Sequence, residues 1–168
     1  MEDEFNDEER TRTPRTKDLV DICRELNRKG ANYIVVGGMA IIMHGYLRTT
    51  EDIDFLVETT HENEQKILEV LSELPEGAAK ELKPGEVGDY VVVRICDEFT
   101  VDLMAKACGI DFETAKDSIT WIEVDDVSIP FASPELLWKT KQTFREKDAL
   151  DRAYLREILE DRGEWPVT

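Results

Sequence analysis

Cations are scarce in this 168-residue chain: 21 Lys plus Arg stand against 38 Asp plus Glu, a formal charge of −17 at neutral pH. Affinity for phosphate polymers and anionic membranes comes from cationic side chains, so a general nucleic-acid coat or membrane-surface binder is excluded as the main role. Long apolar runs are missing too, and none approaches the ~18 residues of a membrane span. The opening MEDEFNDEER is acidic and has no apolar stretch, which does not fit a secretory signal and gives the expectation of a cytoplasmic protein. Cysteines are few: Cys23, Cys96 and Cys108, an odd number without C-x-x-C spacing, which argues against a disulfide framework or a thiolate zinc site. His44 and His61 are too few for a His-rich metal site. Metal chemistry therefore has to rest on carboxylates, which select hard cations such as Mg²⁺ or Mn²⁺. The phosphate-loop pattern, the G-x-G-x-x-G dinucleotide fingerprint and the G-x-S-x-G nucleophile elbow are all absent.

What is present, with 41% hydrophobic residues, suits one globular domain. Residues 1–16 read as a disordered acidic tail, 17–133 as the core, and 134–168 as a C-terminal helical segment packed on the same domain. Leu19, Val20, Ile22, Cys23 and Leu26 recur at helical spacing before Gly30. Residues 33–36 form a short β-branched run that ends at Gly37-Gly38, and an apolar helix over 39–43 closes near Gly45. A strand follows at 53–57 and an amphipathic helix at 61–74. Residues 75–88 read as a loop, 90–95 and 99–104 as strands joined through 96–98, and 112–118 as a short helix. Residues 121–127 and 129–131 supply the last strand or strand pair. Ser133-Pro134-Glu135 opens a long helix to Arg162 with a break near Asp148. The pattern is α/β (α+β), with a short mixed sheet flanked by helices.

The chemistry concentrates in 37–57, GGMAIIMHGYLRTTEDIDFLV. Strand alternation puts Asp52 and Asp54 on one face and Ile53 and Phe55 on the other. Two adjacent carboxylates repel unless a cation lies between them. A third acid, Asp102, is alone in an otherwise apolar strand, where burial is unfavourable unless the acid is paired, hydrogen-bonded or metal-bound. If the two strands are neighbours, the three acids converge. Taken singly, each feature has a plainer explanation: a solvated strand start, a tight Gly-Gly turn, an edge-strand acid. His44 reads as a satisfied core or capping residue, and Asp89, Asp97, Asp125 and Asp126 as loop acids.

Together these residues resemble the small DNA-polymerase-β-like nucleotidyltransferases. Their signature is a hydrophobic residue and Gly-Gly or Gly-Ser, a gap, then Asp-hydrophobic-Asp-hydrophobic. Val36-Gly37-Gly38, a thirteen-residue gap and Asp52-Ile53-Asp54-Phe55 match it. Arg48 through Asp54 also resembles the Arg-x-Thr-x-Asp-x-Asp form of the minimal, abortive-infection and toxin-type branch. The resemblance implies the nucleotidyltransferase fold and a two-metal transfer of a nucleoside monophosphate from an NTP co-substrate to an acceptor hydroxyl. Asp52, Asp54 and Asp102 would then be catalytic and hold two Mg²⁺ or Mn²⁺ ions. Gly37 and Gly38 would let backbone N–H groups approach the triphosphate. It further implies tRNA, a protein side chain or a small molecule as acceptor, and an antitoxin-like protein partner.

Residues 139–162 hold seven Lys plus Arg and six acids, and 144–151 resembles the Arg-x-Lys-Asp-x-x-Asp helix of that branch. Lys139, Lys141 and Arg145, with Arg48, are thus candidate nucleotide-binding residues; the plainer alternatives are a salt-bridge lattice on a solvated helix and an Arg48–Glu51 pair. Two further functions stand beside the transferase: a catalytically silent nucleotide- or partner-binding protein on the same fold, and a structural interaction module.

Overall fold

The structure is a computed structural model, in which residues 11–168 are described. The expected tail falls outside the described residues over 1–10. From Thr11 onward, however, the chain is fastened. Arg12 binds both oxygens of Asp18 at 2.7 and 2.8 Å, and its backbone N–H donates to Glu98 O at 2.9 Å. Asp18 lies in the first turn of α1 (Thr16–Lys29), where free N–H groups and the helix dipole favour an acid. Helix α1 buries the apolar stripe read from the sequence and stops at Gly30, whose φ of +69° makes it a left-handed cap.

The chain continues through β1 (Tyr33–Val36), α2 (Gly37–Met43), β2 (Asp52–Val57), α3 (His61–Leu71) and a 3-10 turn at Ala78–Glu81. Next come α4 (Glu86–Tyr90), β3 (Val92–Cys96), β4 (Thr100–Met104), β5 (Lys106–Ala107) and β6 (Ile110–Asp111). The last elements are α5 (Phe112–Ala115), β7 (Ile119–Val124), β8 (Val127–Ala132), α6 (Pro134–Thr140) and α7 (Glu146–Asp161). Six strands form one mixed sheet in the order β3-β4-β2-β1-β8-β7. The β2–β4 and β1–β8 pairs are parallel and the other three antiparallel. The inner strands β1, β2, β4 and β8 carry fully buried side chains, including Ile34, Ile53, Val101 and Phe131. Among the described residues no helix is long and apolar enough to cross a membrane.

Three expectations are corrected. Residues 86–90, read as the end of a loop and the start of a strand, form α4, because the buried Glu64 carboxylate accepts N–H bonds from Gly85 (3.1 Å) and Val87 (2.9 Å) at its start. The expected strand pair is the hairpin β7–β8, but its turn falls on Asp125 and Asp126 and not at residue 128, both aspartates being left-handed with φ of 49° and 64°. That is a two-residue turn of the kind usually signalled by Asn-Gly, and two aspartates tolerate it without advertising it. The helical break lies at residues 141–145, before Asp148, which sits in the first turn of α7. Arg152 donates to Lys141 O (2.5 Å) and Thr143 O (2.9 Å), so the break's carbonyls are satisfied by a side chain.

Helices α6 and α7 pack on each other, and Leu155 and Leu159 are fully buried. Tyr154 packs against Tyr46 in a tilted arrangement with ring centroids 4.7 Å apart and donates its hydroxyl to His44 O at 2.9 Å, docking α7 on the end of α2.

Candidate active site

Strand β2 pairs with β4 in parallel, with Asp54 opposite Asp102 and Asp52 opposite Thr100. Alternation turns Asp52 and Asp54 to one face, while Ile53 and Phe55 are buried on the other. Since Asp54 and Asp102 are directly paired across the ladder, all three carboxylates meet. One oxygen from each lies within 4.8 Å of the others. These are the three acids singled out from the sequence.

Such crowding perturbs the acids. Asp54 keeps some surface open to solvent, yet its carboxyl lies deep; burial first, then the charges of Asp52 and Asp102, push its pKa well above the usual carboxylate range. Burial and Asp102 push Asp52 upward as well, against the pull of Lys147 and Arg94. Arg94, on β3, was not foreseen. It sits opposite Asp102 in the antiparallel β3–β4 ladder. Its Nε and Nη2 donate to the two oxygens of Asp102, each at 2.9 Å, and Nη2 also reaches Asp52 Oδ2 at 3.3 Å. The available signal was one cation in a β-branched strand next to the strand bearing the lone acid.

The glycines answer to the same acids. Gly37 has φ +67°, and a Cβ there would lie 2.0 Å from Asp54 Oδ2. At Gly38 a Cβ would meet Thr50 Oγ1 at 2.4 Å. Thr50 is buried and donates its hydroxyl to Asp52 O at 3.1 Å, bracing the start of β2. Glycine at both positions thus lets β2 and the segment before it lie directly against the β1–α2 turn.

Of the candidate cations, Arg48, Lys141 and Arg145 line the same cleft as the acids, joined by Lys147. Lys139 does not; its Nζ pairs with Glu135 at 3.3 Å on α6. Arg48 binds neither Glu51 nor open solvent but fully buried Asp151, with Nε and Nη2 each 3.0 Å from its oxygens. Lys141 Nζ lies 2.8 Å from Asp151 and 3.7 Å from Asp148. Arg145 Nε pairs with Asp148 at 3.0 Å, and Thr143 bonds the same carboxylate. Burial alone would raise the Asp148 pKa, but these partners hold it below the usual value. Two buried carboxylates, Asp148 and Asp151, thus gather buried Lys141, half-buried Arg48 and exposed Arg145, which is more than a solvated lattice on one helix face.

His44 behaves as a satisfied residue, with Nε2 2.8 Å from Ala132 O and its pKa lowered mainly by burial. Asp97, read as a loop acid, is buried and accepts N–H bonds from Glu76, Ala78 and Glu98, which fixes the 97–99 turn.

The cleft between acids and cations encloses about 110 Å³. Hollows of about 200 Å³ towards Cys108 and Thr140 and about 240 Å³ towards Thr11 and Glu51 share its lining residues. A larger groove of about 640 Å³ runs along α1, α3 and the 3-10 turn, away from the acids. As a donor set, three converging carboxylates without a sulfur or imidazole ligand fit a hard divalent cation, whose charge would relieve the repulsion that raises Asp54.

A family model described as "Nucleotidyltransferase of unknown function (DUF6036)" matches residues 16–129. No curated protein matches the chain in sequence. Among solved structures, a lincosamide antibiotic adenylyltransferase, LnuA, with lincomycin bound is similar with a TM-score of 0.55 at 16% identity, over 88% of this chain and 99% of that one. A candidate nucleotidyltransferase, TM1012, from Thermotoga maritima is similar with a TM-score of 0.52 at 18% identity, over 87% and 92%. An antigenic nucleotidyltransferase-like protein from Paracoccidioides brasiliensis also gives 0.52 at 18% identity, over 84% and 75%. At these identities the likeness is one of fold.

Proposed function

The chain belongs to the DUF6036 family of nucleotidyltransferases, and from that premise we propose that it transfers a nucleoside monophosphate from an NTP to an acceptor hydroxyl, releasing pyrophosphate, in a reaction dependent on Mg²⁺ or Mn²⁺. The observation that carries this reading is the convergence of Asp52, Asp54 and Asp102 within 4.8 Å in a cleft also lined by Lys141, Arg145 and Lys147. Acids and cations lining one cleft suit a ligand that is itself a metal–polyphosphate complex.

In this reading Asp52 and Asp54 would hold two divalent cations, with Asp102 completing the set, and such cations would supply charge to neutralise the triphosphate and to lower the pKa of the acceptor hydroxyl. Lys147 and Arg145 face the departing pyrophosphate from the cleft wall. Arg48 and Lys141, spent largely on Asp151, keep that wall in place. The acceptor oxygen forms a bond to the α-phosphorus as the bond to the pyrophosphate oxygen breaks, and its proton passes to Asp102. Gly37 keeps the backbone clear of Asp54, so that the carboxylate is held over the turn. The narrow cleft, with a hollow on either side, suits an acceptor that inserts a single hydroxyl: an RNA 3′ end, a protein side chain or a small molecule.

A second reading, a silent nucleotide-binding protein, draws on one observation: Arg94 already occupies both oxygens of Asp102. Pyrophosphate release with each of the four NTPs and Mg²⁺, using total tRNA or a cell extract as acceptor, separates the two. The transferase reading expects release that disappears in an Asp52→Ala, Asp54→Ala double variant. NTP binding that requires the acids, without release under any acceptor, would favour the silent protein.

A further inference from the structure

We propose that Arg94 is the resident counter-ion of the acid cluster, holding Asp102 and Asp52 before a divalent cation enters and exchanging them for the nucleotide's phosphates afterwards. The inference rests on the nucleotidyl-transfer reading above.

Three like charges packed this closely need a cation, and among the described residues Arg94 is the cation that bonds two of the acids. Its guanidinium uses Nε and Nη2 on the two oxygens of Asp102, at 2.9 Å each, and shares Nη2 with Asp52 Oδ2 at 3.3 Å. Each carboxylate oxygen engaged in this way keeps a lone pair, but the guanidinium charge and its fixed fork compete with Mg²⁺, which demands contacts of about 2.0–2.1 Å in a fixed geometry. Asp102 therefore becomes a stronger ligand when Arg94 lets go. Lys147 lines the same cleft but bonds none of the three acids, and its effect on Asp52 acts through space.

The fold permits the exchange. Strand β3 is an edge of the sheet, and its backbone is pinned by the ladder that sets Arg94 opposite Asp102. The Arg94 side chain is 41% exposed, whereas that of Asp102 is only 8% exposed. A rotation about the arginine stem frees the acids without moving the strand. The guanidinium fork fits a phosphate as well as a carboxylate, so the group expelled by an incoming cation has a partner in the triphosphate that arrives with it. Metal and nucleotide should then bind with positive cooperativity, because neither alone offsets the broken pair.

The test measures Mn²⁺ binding to the full chain by the loss of free Mn²⁺ resonance, without nucleotide and then with a non-hydrolysable NTP. The proteins are wild type, Arg94→Gln, Arg94→Lys, Lys147→Gln and Asp54→Asn, each checked for a cooperative melt. Without nucleotide, Arg94→Gln should bind Mn²⁺ about tenfold more tightly than wild type, and Lys147→Gln less than about threefold, because Arg94 bonds the ligands and Lys147 does not. Arg94→Lys, which keeps the charge and loses the fork, should fall between wild type and Arg94→Gln, and it decides the matter should Arg94→Gln not fold. With Mn²⁺ saturating, Arg94→Gln should bind the NTP analogue several-fold more weakly. An Arg94→Gln affinity for Mn²⁺ equal to wild type, or raised no more than in Lys147→Gln, overturns the proposal while a loss of binding in Asp54→Asn leaves the metal-site reading standing. Absence of Mn²⁺ binding in every protein, with or without nucleotide, overturns both.

Discussion

Asp54→Asn should make the metal-free protein more stable while abolishing its turnover. The oxygens of Asp52, Asp54 and Asp102 gather within 4.8 Å, and burial together with the neighbouring charges raises the Asp54 pKa well above normal. Two unit charges about 4–5 Å apart at an effective dielectric near 20 repel by about 3–4 kcal/mol. Arg94 offsets part of that through Asp102 and Asp52. A net gain of about 1–2 kcal/mol remains on neutralising the central acid, since Asn keeps the shape and can donate to Asp102. For a domain of this size that is a rise in melting temperature of about 2–8 °C. The assay is a thermal melt in chelator at pH 8, repeated with excess Mg²⁺. Wild type should melt higher with Mg²⁺, by ligand linkage, and the variant should not respond. The pH dependence has a definite sign. A carboxyl whose folded pKa is raised takes up its proton more readily when folded, so its contribution is fully favourable below the unfolded value of about 3.8 and is lost as pH rises through the folded value. The gap between variant and wild type should therefore be full at pH 8 and close as pH falls towards 4. A variant that melts at or below wild type in chelator at pH 8 would refute the claim that these acids strain the apo fold.

Two substitutions probe the frame around the acids. Gly37→Ala places a methyl 2.0 Å from Asp54 Oδ2 at a left-handed backbone position, so it should cost about 1–3 kcal/mol and weaken Mn²⁺ binding, read by melting and by titration; a neutral effect on both would mean that Asp54 is not seated on that turn. Asp151→Ala removes a fully buried carboxylate shared by Arg48 and Lys141 and strands both cations, which should cost about 3–5 kcal/mol in chemical denaturation.

The parts of the site that were legible in the sequence are those fixed by local rules. Strand alternation alone puts Asp52 and Asp54 on one face, and an isolated acid in the apolar β4 run identifies Asp102. Gly30 as a helix stop follows from the end of an apolar stripe. What was hidden depended on tertiary context. Arg94 reaches the acids only through the register of the β3–β4 hairpin, and no residue in the 97–99 connection announces that register. Asp148 and Asp151 sit in a charged helical stretch that reads as solvent-facing, and they are buried because α7 folds back over the segment carrying Arg48. Glu64 likewise looks like an ordinary acid in the first turn of α3, until α4 is found hanging its first N–H groups on it.

The same distinction bears on the charge of −17. Averaged over the chain, that charge argues against any polyanionic ligand. The fold distributes it otherwise. Cations from three segments remote in sequence, Arg48 before β2, Arg94 on β3, and Lys141, Arg145 and Lys147 at the α6–α7 junction, converge on one small cleft. Two of the chain's acids, Asp148 and Asp151, are spent inside, fixing Arg48, Lys141 and Arg145 against it. Net charge therefore limits how long a polyanion the protein can grip, because flanking phosphates would meet an acidic surface. It places no limit on a single triphosphate that arrives with its own cations. Five cations converging on one cleft, in a chain of net charge −17, is the combination that the amino-acid composition alone obscures.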